Sequence, residues 1–594
     1  MFLDSSSSKA ANGKTYRRLL LRTSFRVDGK VKHRTLGNLS DCDPSEIEAI
    51  KLALRHKEQL SAFLGFLASA ELAPPVVPGT ALPASPSQPA PDAPFVQGPS
   101  VGAILGLRAL AEELGIVAAL GSEREGKLAL WQVIARALDQ GSRLSAVRLA
   151  RDLGAQPVLG LPGFDEDDLY ANLTWLHGEQ QRIEEQLFAR RYQQCGAPSL
   201  YLYDVTSTYL EGDHNELGAF GYNRDGKRGK KQVVIGLLCD DQGVPVAIEA
   251  FKGNTGDPKT VPGQIASLQQ RFGARHITLV GDRGMLRGPQ IKDLQAAGMH
   301  YITAISKPQI ETMLAAGSLQ MELFDNELAE IEVPGESNEK DHEEGTAEGP
   351  REGRIAERYI LRRNPTRQAE MARTRADKKQ ALDKDLASLN DYPASHPRAK
   401  AATAQRRLDQ RPGKLGLGGW ISVRVKHRQL IMEQDQAALD EESKLDGCYV
   451  LRTDLKEAQA SKETVHERYK SLAHVGQAFR RCKTMELELR PVHVRKEGST
   501  RGHILVVMLA YQLMRELGRR WAHLDLTVRE GLQRLNTYCA VEVAGVIQVL
   551  LQPRADVQAL LDAARVTLPS LLPRATAKVA TKRRLPKSRP TRLK

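Results

Sequence analysis

Apolar and polar positions are spaced in three ways along the chain, and each spacing implies a different element. Near the amino terminus, Lys14–Leu21, Ser24–Val31 and His33–Asn38 alternate with the period of half-buried strands, turning at Asp28-Gly29. Pro44–Leu67 then takes helical spacing. From Val101 to Ala197 the apolar residues recur as in helices throughout, and Leu128–Leu138 and Leu144–Leu153 are joined by Asp139-Gln-Gly-Ser142 like a helix-turn-helix. That arrangement suits a DNA-reading helix and equally any small helical bundle, the commoner structure. Between Pro198 and Lys307 the pattern changes again. The apolar, aromatic run Ser199–Tyr203 ends in Asp204, and Lys231–Cys239 and Val244–Phe251 read as a hairpin about Asp240-Asp-Gln-Gly243. Lys259–Phe272 reads as a helix, His276–Gly281 as a strand delivering Asp282, Gln290–Ala297 as a helix and His300–Ser306 as a strand. Three antiparallel strands followed by helix, strand, helix and strand predict a mixed α/β sheet.

Breaks in the pattern suggest the domain organisation. Ala73–Ser100 holds nine of the chain's 30 prolines among Ala and Ser, the composition of a semi-rigid linker. It separates a small α+β unit (1–72) from a helical, candidate DNA-binding stretch (101–197). Glu327–Arg354, rich in Glu, Gly and Asp, reads as a solvated loop, and Asn364–Gln410 as a charged helical stretch. No internal repeat is evident.

Composition narrows the class. With 594 residues, 41% hydrophobic and 26% charged, the chain is long enough for several folded domains. No run approaches the roughly 18 apolar residues of a membrane span, and Met1–Asn12 lacks the apolar core of a secretory signal. Six scattered cysteines form no Cys-x-x-Cys pair, which argues against a disulfide scaffold or thiolate metal site. A soluble cytoplasmic protein is expected. The net charge of +13 invites a polyanion partner, yet nine basic and no acidic residues lie in Leu571–Lys594, leaving +4 (13 − 9) for the remaining 570 residues. That tail reads as disordered, either a phosphate-binding arm or a solubilising extension.

Asp204 and Asp282 are the candidate chemistry. Each follows an apolar strand, and their separation of 78 positions leaves it to the fold to bring them together. Two adjacent carboxylates repel, and a divalent cation keeps both ionised. Hard oxygen donors with little His or Cys nearby select Mg²⁺ or Mn²⁺, and two such ions about 3.5–4 Å apart can clamp a phosphodiester during displacement. On spacing alone, a helix cap or turn residue is the commoner role for such an aspartate.

Several longer motifs carry more information: YDVTSTYLEG (Tyr203–Gly212), FGYNRDGKRGKKQVVIGLL (Phe220–Leu238), FKGNTGDPKT (Phe251–Thr260), LVGDRGM (Leu279–Met285), LDGCYVLRTDL (Leu445–Leu455) and ELRPVHVRKEGSTRGHILVVMLAY (Glu488–Tyr511). In this order they resemble the catalytic core of bacterial insertion-sequence transposases of the DDE type, over about Ser199–Glu516, and GKVKHRTLGNL (Gly29–Leu39) is similar as well. The resemblance implies an RNase H-like sheet flanked by helices, in two parts (198–306 and 445–540) around an insertion domain (307–444), with a helical segment at 541–570 and the basic tail at 571–594. It implies Asp204 and Asp282 as catalytic, metal-holding residues, double-stranded DNA (terminal inverted repeats and target) as partner, and a homodimer in a synaptic complex.

In the branch it resembles, a helix carries Tyr, two residues, Arg, three residues, Glu, six residues, Lys. Here Tyr469 and Lys483 fall on the pattern, Leu472 takes the Arg position and Gly476 the Glu position. The resemblance implies that Tyr469 and Lys483 contact DNA phosphates, and Arg480 belongs to the same basic cluster, suited to backbone contacts. Tyr469 also suits a packed aromatic and Lys483 a solvated surface. Glycine offers no third carboxylate. Glu467, about two and a half turns back, and His474, rotated about 200°, are poorly placed to substitute on an ideal helix. The expectation is a transposase impaired in metal-dependent cleavage and strand transfer. Its rivals are an inactive DNA-binding relic or inhibitor and a stand-alone metal-dependent nuclease. His503, ahead of the apolar stretch Leu505–Leu517, reads as a structural histidine.

Overall fold

The computed structural model describes residues 2–9, 15–27, 30–40, 47, 96–274, 276–333, 357–396, 405, 406, 408, 410–427, 429–490, 492–543, 547–573 and 577–582. The turn at Asp28-Gly29, nearly all of the expected helix at Pro44–Leu67, most of the proline-rich linker and of the acidic loop, and Arg583–Lys594 lie outside them. The chain divides into two compact units, one of 1–109, 150–162 and 523–578 and one of 110–149, 163–522 and 579–594.

In the first unit, Phe2–Lys9, Thr15–Val27 and Lys30–Asn38 form an antiparallel sheet. Thr15–Val27 is one continuous strand where two were expected. A second, four-stranded sheet includes Val96–Ser100, which pairs with Cys539–Val543. The end of the presumed linker is therefore a strand whose partner lies more than 400 residues away, a pairing that local pattern does not encode.

The second unit holds the larger sheet. Helices α1 (Arg124–Leu138) and α2 (Glu166–Tyr192) precede it. α2 starts where it does because Asp165 and Asp168 form a reciprocal capping box, satisfying amide donors that a helix start leaves free. Residues Leu128–Ala137 of α1 are buried all round, so α1 is an interior helix of the bundle kind.

Eight strands follow: β1 (Leu200–Tyr209), β2 (Gln232–Asp240), β3 (Pro245–Lys252), β4 (Thr278–Gly281), β5 (His300–Ala304), β6 (Ala329–Val333), β7 (Glu357–Arg363) and β8 (Cys448–Thr453). Their spatial order is β6-β7-β8-β5-β4-β1-β2-β3. β1, β2 and β3 are antiparallel neighbours, while β4 runs parallel to β1 and β5 parallel to β4. The order 3-2-1-4-5 with this polarity is the RNase H-like core. α3 (Val261–Gln270) and α4 (Gly288–Ala296) make the crossovers. β6 and β7, both inside the expected insertion, join the sheet because the edge of β8 accepts β7 in antiparallel register. The rest of that stretch builds a small core of its own around Leu382, Leu417, Trp420, Ile421 and Leu430.

β2 is buried along its whole length, as a central strand covered on both faces must be. Tyr201, Tyr203 and Val205 of β1 share a core with Val261 and Ile265 of α3 and Ile291 and Leu294 of α4. By the two-residue period of a strand, Asp204 and Thr206 face the other side. That side is covered by the last helices: α5 (Lys462–Lys470), α6 (Leu472–Arg480), which packs on β1 and β2, and α7 (Glu497–Arg520), which packs on α1, α2 and β3. Between α6 and α7, Arg481–Met485 widens into a π-helical turn.

The basic tail differs in part from its expected disorder. Val579 bridges to Phe164, and Lys582 Nζ pairs with Asp165 at 2.7 Å. The acidic first turn of α2 supplies the charge that holds this segment. Among the described residues no helix is long and apolar enough to cross a membrane.

Candidate active site

β1 does not stop at Asp204. The β-branched Val205, Thr206 and Thr208 extend it to Tyr209 along β2, so Asp204 sits within a strand. The parallel ladder between β1 and β4, however, ends at Tyr203↔Gly281. Next come Asp204, still on β1, and Asp282, the first residue past β4, so the two follow adjacent paired positions on strands about 4.8 Å apart. Asp282 then closes a turn, its carbonyl accepting from Met285 N at 2.9 Å and Leu286 N at 3.2 Å.

Both aspartates line a cleft of about 1120 Å³ together with Arg283, Arg362, Tyr469 and Lys470. Burial pushes the Asp204 carboxyl up to about 6; the Val205 amide it accepts from and Arg224 oppose the rise, while Asp282 and Asp257 add to it. Asp257 was not singled out from the sequence, where its place before Pro258 marks a helix start. Its Oδ2 and that of Asp282 flank Gly284, at 3.7 and 3.9 Å from where a Cβ would stand, and Asp257 is tied to Arg224 at 2.5 Å.

The motif helix comes to this cleft, but its members part ways. Tyr469 lines it; burial, then the charges of Asp282 and Asp204, keep its hydroxyl protonated. Leu472 and Ala473 line it as well. Gly476, three residues beyond Ala473, continues that helix face, and a Cβ built there meets nothing within 4 Å. Arg480 is exposed. Lys483 is buried instead, donating to Thr206 Oγ1 at 2.9 Å and pairing with Asp225 at 2.8 Å. Asp225, 1% exposed, also pairs with Arg490. The Lys483 ammonium therefore braces the strand that bears Asp204.

Neither Glu467 nor His474, the two residues weighed from the sequence as substitutes for a third carboxylate, lines the cleft. Glu467 is exposed and engaged by Lys470 at 3.0 Å, and His474 packs against Gly243, where a Cβ would stand 2.5 Å from the His474 Cβ. Asp454, following β8, lies at the opposite rim because β8 is antiparallel to β5; it accepts from Tyr301 N at 3.0 Å. Among the described residues no three His, Cys, Asp or Glu side chains converge to hold a metal. The pair Asp204 and Asp282 does fit one hard divalent cation, since Mg²⁺ commonly takes one or two carboxylates and fills its shell with water and phosphate oxygens.

A second feature escaped the sequence reading. In the β1–β2 connection, Phe220 and Tyr222 are 64% and 81% exposed beside Arg224, Lys227, Arg228, Lys230 and Lys231, and the Arg224 guanidinium stands 5.6 Å from the Tyr222 ring centroid. Aromatic and basic residues interleaved on a surface loop are the composition of a nucleic-acid contact.

The strand order and the acidic pair delivered by β1 and β4 place this unit in the RNase H-like class. Residues 196–513, more than half of the chain, match the model of the transposase DDE domain, and residues 3–68 match that of the N-terminal domain of IS1634 family transposases. The chain belongs to the DDE transposase family and is an insertion-sequence transposase. No curated protein matches it. Among solved structures it is similar to a piggyBac transposase synaptic complex with hairpin DNA, at 9% identity and TM-score 0.33 over 74% of this chain and 82% of that one. It is also similar to a Mos1 transposase paired-end complex with the left transposon end, at 11% identity and TM-score 0.13 over 27% and 58%. Both likenesses are slight, and the assignment rests on the family matches.

Proposed function

We propose that this transposase binds the ends of its own element, that Asp204 and Asp282 form the phosphodiester-cleaving site with Mg²⁺ or Mn²⁺, and that glycine at position 476 impairs cleavage and strand transfer. The register Tyr203↔Gly281, which seats the two aspartates side by side in the family-matched domain, carries this reading. A bound divalent ion supplies charge neutralisation at the phosphoryl oxygens. The protein's own part is positioning. Asp204 and Asp282 aim oxygens into the cleft, and protonated Tyr469 donates to a phosphate oxygen. Arg283, Arg362 and Lys470 offset backbone charge from the walls, and Lys483 acts through Thr206 by fixing β1. The exposed Phe220–Lys231 loop and Arg480 extend the DNA contact. Two copies pairing two ends, in a bacterial cytoplasm, complete the proposal.

The test uses duplexes carrying the inverted repeats that flank the gene, with scrambled duplexes as control. Preferential binding of the ends, with slow Mg²⁺-dependent nicking that Asp204→Ala removes, is expected. Equal affinity for both duplexes, or nicking untouched by Asp204→Ala, would sink the proposal. Gly476 favours one second reading, a transposase-derived protein that occupies ends without cutting; tight end binding with no nicking identifies it.

A further inference from the structure

Beneath the turn Asp139-Gln-Gly-Ser142 lies a second cavity, of about 410 Å³, lined among others by Arg136, Arg143, Tyr170, Glu488 and His503. Its charge is balanced only in part: burial disfavours the Arg136 cation, and Asp139 and Glu488 favour it through space. Arg136 and Arg143 are each 6% exposed, yet among the described residues no carboxylate forms an ion pair or hydrogen bond with either. Arg136 spends Nη1 and Nη2 on the carbonyls of Gln140 and Gly141, at 2.7 and 3.2 Å. Arg143 Nη2 donates to His503 Nδ1 at 3.0 Å, and the Nε of both arginines has no hydrogen-bond partner among the described residues. Burial, then Arg143 and Arg136, hold His503 neutral, well below its ordinary range. Arg490 on the wall is taken by Asp225, and His493 is exposed. Of the acids nearby, Glu488 is exposed, and Asp139 accepts from Ser145 Oγ at 2.6 Å.

A buried guanidinium without a directly paired anion is unfavourable, and two facing one cavity repel each other. We infer that this cavity is an anion site that takes a phosphate group between Arg136 and Arg143. Two guanidinium forks converging from separate helices need more than the two oxygens of a carboxylate, and a tetrahedral phosphate provides them. The group is either free phosphate or a phosphodiester of bound DNA. The site does not involve Asp204, Asp282 or Gly476, so it stands or falls apart from the cleavage reading.

The experiment uses the full chain and Arg143→Met, which keeps the side-chain length and removes the charge. The first arm titrates inorganic phosphate against chloride at matched ionic strength, followed by thermal shift and calorimetry. The second measures the salt dependence of duplex affinity. A saturable phosphate-induced rise in melting temperature, with affinity at least tenfold weaker in Arg143→Met, supports the site with free phosphate as ligand. A log–log salt slope smaller by about 1 in the variant, without free-phosphate binding, supports a DNA phosphodiester. Because removing a buried unpaired charge does not weaken the fold, the variant should melt no lower than the native chain in phosphate-free buffer. Should it fail to fold, the native chain alone decides, by whether phosphate outperforms chloride. No phosphate effect together with an unchanged slope, or equal phosphate binding by both proteins, overturns the inference.

Discussion

Gly476→Glu is the most informative perturbation of the cleft. A Cβ at this position meets nothing within 4 Å, so the new side chain enters open space. Replacing an interior helix glycine recovers up to about 1 kcal/mol of helix propensity. Against that stands at most about 2 kcal/mol of rotamer entropy if the glutamate becomes fixed. The fold is thus expected to hold within a degree or two of its native melting temperature. Position 476 continues the face on which Ala473 lines the cleft, so the carboxylate is added on the side of Asp204 and Asp282. A third charged ligand contributing about 3 kcal/mol to the transition state corresponds to roughly a hundredfold in rate, at about 1.4 kcal/mol per decade. Single-turnover nicking of end duplex in Mg²⁺ measures this, with Gly476→Gln and Gly476→Ala as controls. Glutamate alone should accelerate. If glutamine or alanine accelerates equally, helix stability and not a carboxylate is responsible. If the native chain already nicks at the glutamate rate, the impairment is refuted.

Other consequences are open to direct measurement. Asp225 is a 1%-exposed carboxylate between Lys483 and Arg490, so Asp225→Ala leaves two cations unmatched; it should cost about 3 kcal/mol and visibly lower the melting temperature, and an unchanged melt would contradict the bracing role given to Lys483. Burial pushes the Glu516 carboxyl up, but the hydrogen bonds and charges of Arg519 and Arg520 together outweigh it and hold the group down to about 2. Its stabilisation is present above the ordinary glutamate value and fades as pH falls from about 4.5 to about 2; acid titration of Glu516→Gln should lack that component. Removing the Tyr222 ring should weaken binding of end DNA with an unpaired strand by about 1–3 kcal/mol, roughly fivefold to 150-fold, while blunt duplex is little affected; equal losses on both would show that the ring does not stack on bases.

Much of the sheet was legible, because its strands and helices alternate with their own periods from Ser199 to Ser306 and turn residues punctuate them. The end of β1 was not. A run that pauses at a charged residue looks finished, and only pairing with β2 shows that Thr206 and Thr208 continue it. β6 and β7 were hidden for a related reason: they are short and interrupted, and are strands because β8 offers them an edge. Lys483 shows the limit for side chains. Its position in a motif says which residue stands there, but its burial against Asp225, 258 residues away, depends on how the π-helical turn meets β1.

By itself the sequence determined the family, the order of the core elements and which residues stand at positions 204, 282 and 476. These are written in local periodicity and in residue identity, and neither needs a third dimension. The tertiary structure decided what touches what. Parallel register set Asp204 beside Asp282, and helix packing turned Lys483 inward and gave Tyr469 to the cleft. Folding also enclosed Arg136 and Arg143 with no directly paired carboxylate among the described residues. Such facts depend on distances between segments remote in the chain, which are fixed only when the hydrophobic faces of sheet and helices close over one another.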